Sequence, residues 1–290
     1  MGVFLILKKF STIYMNEIIT SMKNVLIQIK SKEDLTQFKL FKQPYVYLKN
    51  YYNSEIPLNI YQTWSTKNLP FGMKQCVELL KKQNPIFKHF LFDDNDCRKF
   101  IEENFDYYVL EAYDKLIPGA YKADLWRLCV LYINGGIYLD IKFSCVNGFR
   151  LIELTEQSNH LVKDKVCPYN LMKPFTIYNA LMVFKKNHPF LLMGINQIVS
   201  NVKNKYYGDT SLSPTGPVML GDLILKNNLQ DKLGLNVDLY HYKYDNYIVY
   251  KNRFVISTIY PSYHTERKYA YNNTNSNHYK NLWESKKIYK

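Results

Sequence analysis

GGIYLDIKF, Gly135 to Phe143, is the stretch whose reading decides the fold. Two glycines ahead of an alternating apolar run predict a tight turn that feeds a β-strand over Ile137–Phe143. Alternation sends Ile137, Leu139, Ile141 and Phe143 to one face, which is core, and Tyr138, Asp140 and Lys142 to the other. A phenol, a carboxylate and an ammonium facing one space describe either a half-exposed edge strand with a cross-face ion pair or one wall of a site.

The segment before it, PGAYKADLWRLCVLYINGG, predicts a long helix, with Pro118 at its start and Gly135 in the C-terminal capping position. Asp124 and Arg127 lie three apart on it, so they share a face about one turn apart. An isolated pair of this kind is usually a weak surface ion pair. Here its neighbours are Leu125, Leu128, Cys129, Val130 and Leu131. Charged residues seldom lie in so apolar a helix unless they are paired or used.

Further upstream the punctuation is regular. IPLNIYQTW reads as a strand and STKNLPFG as its turn-rich exit. GMKQCVELLKKQNP reads as a helix with Met73, Val77 and Leu80 on one face. IFKHFLFDD is a second strand, after which Asp93 or Asp94 caps the helix NDCRKFIEEN. Downstream, a polar stretch precedes the apolar run TIYNALMVF. The helix PFLLMGINQIVSNVKNK follows, with Leu191, Ile195, Ile198 and Val202 at helical spacing. SPTGPVMLGDLILKNN reads as a loop entering a helix, and LYHYKYDNYIVYKNRFVISTIYP as hairpins turning at Asp245-Asn246 and Lys251-Asn252. Strands and helices that alternate in this way indicate an α/β class. Residues 1–54 read as an N-terminal extension and 55–290 as one domain.

Composition narrows the partners. Lys plus Arg number 38 against 25 Asp plus Glu, a formal charge of +13, which favours anions: nucleic acid, anionic lipid or phosphorylated small molecules. Richness in Lys, Asn, Ile and Tyr, with 27 tyrosines, is also what an AT-rich genome imposes, so the charge supports other evidence without carrying the reading. The five cysteines have no C-x-x-C spacing, which argues against a disulfide framework or zinc knuckle and for a reducing compartment. MGVFLILKKF has a short apolar run, Val3 to Leu7, without a basic lead or a cleavage site, and Ile6 breaks the myristoylation pattern. No signal peptide or membrane span is expected, and the chain reads as cytoplasmic, from a microbe or a virus.

IPLNIYQTW, the block A-x-x-A-D-L-W-R-L-x-x-L-Y-x-x-G-G-I-Y-L-D, YNALMVFKKNHPF, PTGP and a terminal H-x-x-x-x-W occur in that order. Together they resemble the sugar-binding-region family of DXD glycosyltransferases. That family includes fungal outer-chain and sphingolipid mannosyltransferases and is related more distantly to the glucosylating domains of clostridial toxins. The resemblance runs from Ile56 to Trp283, most specifically over Asp124–Asp140. It implies a GT-A fold, a Rossmann-like mixed sheet flanked by helices. It also implies a nucleoside-diphosphate-sugar donor and transfer with retention at the anomeric carbon.

Carried over residue by residue, the resemblance makes Trp64, at the end of Gln62-Thr63-Trp64, the aromatic on the donor base. Asp124 and Arg127 contact the donor sugar and phosphates. Gly136, Tyr138, Thr215, Gly216 and Trp283 join the donor-binding set. Asp140 is the first acid of DXD, and His278 is the C-terminal residue near the diphosphate, so Asp140 and His278 are the expected ligands of a divalent cation, Mn²⁺ or Mg²⁺. The expected catalytic set is Asp124, Arg127, Asp140 and Lys142, with Asp124→Ala abolishing transfer while the fold stays intact.

Two positions depart from the pattern. Tyr61 stands where many members have His, which bears on local packing. Lys142 replaces the second acid of DXD, and an ammonium has no lone pair with which to ligate a cation. Either the ion remains in a weakened site made of Asp140, His278 and the diphosphate, since Mg²⁺ keeps waters and phosphates as ligands, or Lys142 supplies the charge and the ion is dispensable. The weakened site is the expectation.

The expected partners are a UDP- or GDP-hexose and a glycan, lipid or protein acceptor. A catalytically impaired nucleotide-sugar binder on the same fold is the alternative. Nucleic-acid binding through the basic, Tyr-rich Tyr240–Lys290 region is less favoured, because no RNP, helix-turn-helix or zinc pattern accompanies it.

Overall fold

The computed structural model describes residues 36–47, 51–164, 175–242, 245–270 and 278–290. The N-terminal apolar run therefore lies outside the described residues. The chain divides into two compact units, Met1–Gln43 and Pro44–Lys290. In the first, a short helix occupies 36–41. The second begins before the expected boundary at residue 55. Within it Tyr45 donates to Glu153 Oε2 at 2.6 Å, Tyr52 donates to Glu153 Oε1, and Glu55 N–H donates to the Thr155 carbonyl at 2.7 Å.

The second unit is built on a nine-stranded mixed sheet among the described residues. Strand β1 (Asn59–Thr63) pairs in parallel with β2 (Lys88–Phe92) and β3 (Gly136–Leu139). Beyond β3 come β6 (Ile177–Phe184), antiparallel, and β5 (Asn159–Lys163), antiparallel to β6. β7 (Val237–Tyr242) runs parallel to β5, and a meander of β8 (Asp245–Tyr250), β9 (Arg253–Ser257) and β4 (Ser144–Cys145) completes the order. The expected α/β class, a Rossmann-like mixed sheet flanked by helices, is the observed one.

Side-chain alternation makes two core layers. Tyr61, Tyr138, Met182 and Phe184 point into one cluster with the helices α2 (Asp94–Asn104), α3 (Tyr107–Lys115), α4 (Gly119–Asn134), α5 (Pro189–Lys203) and α6 (Pro217–Lys226). Ile60, Ile137, Leu139, Leu181 and Val183 point into the other. Each fully buried Leu, Ile or Phe contributes roughly 1.5–3 kcal/mol.

Local signals place most helices where expected. Helix α1 (Phe71–Gln83) buries Met73, Val77 and Leu80. Asp93 caps α2 through a capping box with Asp96, and Gly135, at φ 62°, ends α4. Helix α3, capped by Asp106, and strand β5 are additions to the expected elements.

Two expectations need correction. Asp245 and Asn246 belong to β8, where they pair with Tyr242 and His241, whereas Lys251 and Asn252 do form a turn, with φ of 48° and 57°. The strand expected over Ile137–Phe143 stops at Leu139. Asp140 N–H still reaches the Ala180 carbonyl at 2.9 Å, but Phe143 N–H then bonds the Asp140 carbonyl at 3.1 Å, so the chain turns where the strand was expected to continue.

Candidate active site

That turn makes the site. Parallel strands β1, β2 and β3 all end at one edge, and a cavity of about 580 Å³ opens there. It is lined by Thr63-Trp64-Ser65 after β1, Asp94 after β2 and Asp140-Ile141-Lys142 after β3. The outer ends of parallel strands are where α/β sheets bind ligands. Helix α4 contributes Lys122 and Arg127, and helix α7 (Tyr263–Ala270) contributes Tyr263 and Arg267. His278 and Tyr279, at the start of α8 (Tyr279–Glu284), close the outline. The cationic lining residues Lys122, Arg127, Lys142 and Arg267 outnumber the acids Asp94 and Asp140, so the chamber suits an anionic ligand.

A continuous polar chain runs along the floor. Asp124 is 8% exposed and sits behind the wall. Its Oδ1 accepts from Asn179 Nδ2 at 2.9 Å and lies 3.2 Å from Arg127 Nη2, while its Oδ2 accepts from Thr215 Oγ1 at 2.7 Å. Arg127, itself 6% exposed, donates to the Asn179 carbonyl at 2.7 Å and to its own helix at Ala123. Its guanidinium lies over the Tyr138 ring, 4.4 Å from the centroid, and its Nη1 is 4.0 Å from Asp140 Oδ1. Tyr138 donates its hydroxyl to the same Oδ1 at 3.0 Å, and Lys142 Nζ lies 3.4 Å from Asp140 Oδ2.

Burial and pairing act against each other along this chain. Burial pushes the Asp124 carboxyl above the usual range, opposed by Arg127 and by the Thr215 and Asn179 hydrogen bonds. Burial disfavours the charge on Arg127, yet Tyr138, Asp124 and Asp140 together hold it above its ordinary value. At Lys142 burial is likewise outweighed by the Asp140 carboxylate, which keeps the ammonium protonated well past neutrality.

The expected site residues separate into groups. Trp64, Thr63, Arg127, Tyr138, Asp140, Lys142 and His278 converge on the cavity. Thr63 arrives with its hydroxyl already donated to the Phe92 carbonyl at 3.0 Å. Asp124, Gln62, Gly136, Thr215, Gly216 and Trp283 stand outside its lining. Gln62 is fully buried, bridging His89 Nε2 at 2.7 Å to the Asp140 carbonyl at 3.3 Å. Gly136, at φ 119°, is a packing glycine, because a Cβ there would meet the Asn59 carbonyl oxygen at 2.7 Å. Thr215 and Gly216, at the start of α6, hold Asp124: a Cβ on Gly216 would come within 3.1 Å of Asp124 Oδ2. The Trp283 indole donates to the Tyr207 carbonyl at 2.7 Å. Tyr61, in place of the pattern's His, is buried and stacks one face of its ring on the exposed Phe90.

Asn179, Lys122, Asp94, Tyr263 and Arg267 join the site without a local sequence signal. Asn179 was legible only as part of the run TIYNALMVF, where one polar residue on a buried strand was the available hint.

The residues present do not make a conventional cation site. Asp140 has its oxygens engaged by Tyr138, Arg127 and Lys142. The imidazole of His278 accepts Lys280 N–H at Nδ1 as the cap of α8, which leaves one ring nitrogen. Burial and the charges of Arg267 and Lys280 push the pKa of that ring below its ordinary value. Among the described residues no group of three His, Cys, Asp or Glu side chains is placed to share an ion.

Residues 70–165, from the start of α1 to the end of β5, match the family described as a glycosyltransferase sugar-binding region containing a DXD motif. The matched segment is the one that carries Asp124, Arg127, Asp140 and Lys142. The chain is similar to inositol phosphoceramide mannosyltransferase 3 of Schizosaccharomyces pombe, 28% identical over 193 residues, which are 62% of this chain and 49% of that protein. It is also similar to the uncharacterized glycosyltransferase L373 of Acanthamoeba polyphaga mimivirus, 38% identical over 92 residues, 31% of this chain and 37% of that one. Among solved structures, the PaToxG glycosyltransferase aligns with a TM-score of 0.46 at 18% identity, covering 72% of this chain and 79% of that chain. The chain spans about half the length of the first of these curated relatives. No helix among the described residues is long and apolar enough to cross a membrane.

Proposed function

We propose that the protein is a retaining hexosyltransferase of GT-A type. It moves a hexose from a UDP- or GDP-sugar to a hydroxyl of a glycan, lipid or protein, and the donor sits in the cavity at the ends of β1, β2 and β3. The observation that carries this reading is the chain Arg127–Asp140–Lys142 along the floor of that cavity, backed by Asp124 behind its wall and with Trp64 in its lining. Trp64 offers an indole face to the base, worth about 1–3 kcal/mol when a base stacks on it. Arg127 and Lys142 face the diphosphate, and Asp124 acts through Arg127 as a positioning residue. Mannose, named in the curated relatives, is the first hexose to test.

Departure of the nucleoside diphosphate breaks the bond from the anomeric carbon to phosphate oxygen, and the electron pair leaves with the oxygen. Fixed positive groups facing that oxygen stabilise the charge as it develops. In a front-face displacement the acceptor hydroxyl forms the new bond on the same side and passes its proton to the leaving phosphate, so atoms and charge balance without an enzyme nucleophile. A family-type divalent ion would add Lewis-acid stabilisation of the same oxygens.

The Lys142–Asp140 pair favours a second reading, a nucleotide-sugar binder without turnover. Screening UDP- and GDP-hexoses by thermal shift identifies the donor, since a native-state ligand at 100 times its Kd adds about 2.7 kcal/mol. Product formation with that donor and simple glycoside acceptors separates the enzyme from the binder. If no nucleotide sugar raises Tm, the donor reading is wrong. A cytoplasmic setting in a microbe or virus belongs to the same proposal, supported by the unpaired buried thiols of Cys76, Cys97, Cys129 and Cys145.

A further inference from the structure

Resting on the donor reading above, we infer that Lys142 takes the place of the divalent cation, so that the site binds the diphosphate of its donor through an ammonium and a guanidinium and does so in the presence of a chelator. Four observations converge. First, Lys142 is no loose surface lysine: its side chain is 22% exposed, with Nζ 3.4 Å from Asp140 Oδ2 and 5.2 and 5.9 Å from the ring centroids of Tyr263 and Phe143. A carboxylate and two aromatic faces hold the charge at one place in the cavity lining.

Second, Asp140 is already committed. With Tyr138 and Arg127 at Oδ1 and Lys142 at Oδ2, a divalent ion on this carboxylate would have to displace a neighbour or sit beside an ammonium of like charge. Third, the other expected ligand, His278, has its Nδ1 engaged in capping α8, and no third acid or imidazole joins the two among the described residues. Fourth, Arg127 and Arg267 line the same chamber, so positive charge is present without an ion. An ammonium carries three N–H donors, more than one carboxylate oxygen takes up, and it can serve phosphate oxygens while still paired with Asp140. Asp140 then acts as the anchor for that ammonium.

The test uses the full chain and the probes UDP and GDP, with affinity measured by calorimetry in EDTA and again in Mn²⁺. Wild type binds one of the two nucleotides with affinities that agree within about twofold between the two conditions. Lys142→Ala weakens that binding in EDTA by about 10- to 100-fold, the loss expected when a charged hydrogen-bond donor is removed. Lys142→Asp, which restores the second acid, binds about tenfold or more tightly in Mn²⁺ than in EDTA. Wild-type binding that appears only with Mn²⁺ overturns the substitution of metal by lysine while leaving the donor reading standing. Absence of binding by UDP, GDP and their hexose conjugates in both conditions overturns both. The wild-type comparison needs no variant, so a folding failure of either substitution does not shield the idea.

Discussion

Asp124→Ala removes three partners at once. The carboxylate balances Arg127 at 3.2 Å and accepts from Asn179 at 2.9 Å and Thr215 at 2.7 Å, all in a setting where Asp124 is 8% and Arg127 6% exposed. Truncation leaves a guanidinium whose nearest remaining carboxylate oxygen, on Asp140, is 4.0 Å away. Removing one member of a buried pair costs about 3–5 kcal/mol. The two lost hydrogen bonds, about 1 kcal/mol each, belong to the same network and do not simply add to that figure. A loss of about 4 kcal/mol is expected, a large fraction of the 5–15 kcal/mol that holds a typical domain together. At roughly 2–4 °C per kcal/mol, Tm falls by about 8–16 °C. The expectation from sequence that this variant would keep its fold intact is therefore revised: Asp124→Ala loses donor binding and stability together.

Asp124→Asn keeps the shape and one carbonyl acceptor, so a smaller loss of about 2 kcal/mol is expected from the missing charge. It is the cleaner probe of function. Urea denaturation gives both values, provided that m is unchanged. In an Arg127→Met background, Asp124→Ala should cost at least about 2 kcal/mol less than in wild type, because no stranded cation remains. A wild-type-background loss below about 1 kcal/mol, or equal losses in both backgrounds, would refute the assignment of Asp124 as the buried counter-ion of Arg127.

Glu266, on α7, accepts from Gly72 N–H at 2.8 Å and Met73 N–H at 3.2 Å, capping α1, which has no side-chain cap of its own. Glu266→Ala should cost about 1–2 kcal/mol and weaken nucleotide binding, because α7 also carries Tyr263 and Arg267; unchanged affinity would show that the cap does not position this wall. Burial pushes the His89 imidazole down to about 4, with the Lys81 charge adding to the shift. The folded state thus binds fewer protons than the unfolded state between about pH 6.5 and 4, and the His89 contribution, up to about 2–3 kcal/mol, is present above pH 6.5 and lost as pH falls through that window. Denaturation at pH 7 and 4.5 should show a smaller acid penalty in His89→Gln than in wild type, and identical penalties would contradict the shift. Trp64→Ala should weaken nucleotide binding by about 1–3 kcal/mol; calorimetry showing no loss would remove the stacking role.

Elements whose signals are local were legible in the sequence. Met73, Val77 and Leu80 announce the buried face of α1, Asp93 its capping role at α2, Gly135 the end of α4, and Lys251-Asn252 the β8–β9 turn, because each depends on residues within a few positions. Alternation alone could not tell where β3 stops. Ile141 and Phe143 continue to face the core after the strand has ended, so the hydrophobic pattern survives a change of backbone path that only the Phe143–Asp140 hydrogen bond reveals. The motif that carries Thr215 and Gly216 marks proximity to the site, and only the structure shows that Thr215 donates to Asp124 and that Gly216 packs against it.

What the sequence by itself determined is the inventory of the site: an Asp and an Arg one turn apart on an apolar helix, a Gly-Gly turn, and Asp140 with an ammonium two residues on. Their chemical types follow from the chain alone, and so does the α/β class that carries them. Tertiary structure decided what those charges do to one another. Asp124 lies behind the cavity because Asn179 from β6 and Thr215 before α6 converge on it. Lys142 becomes a held charge because Tyr263 of α7 packs over it. Each of these depends on groups distant in sequence and on the burial that makes an unpaired charge costly. Neither leaves a trace in local spacing.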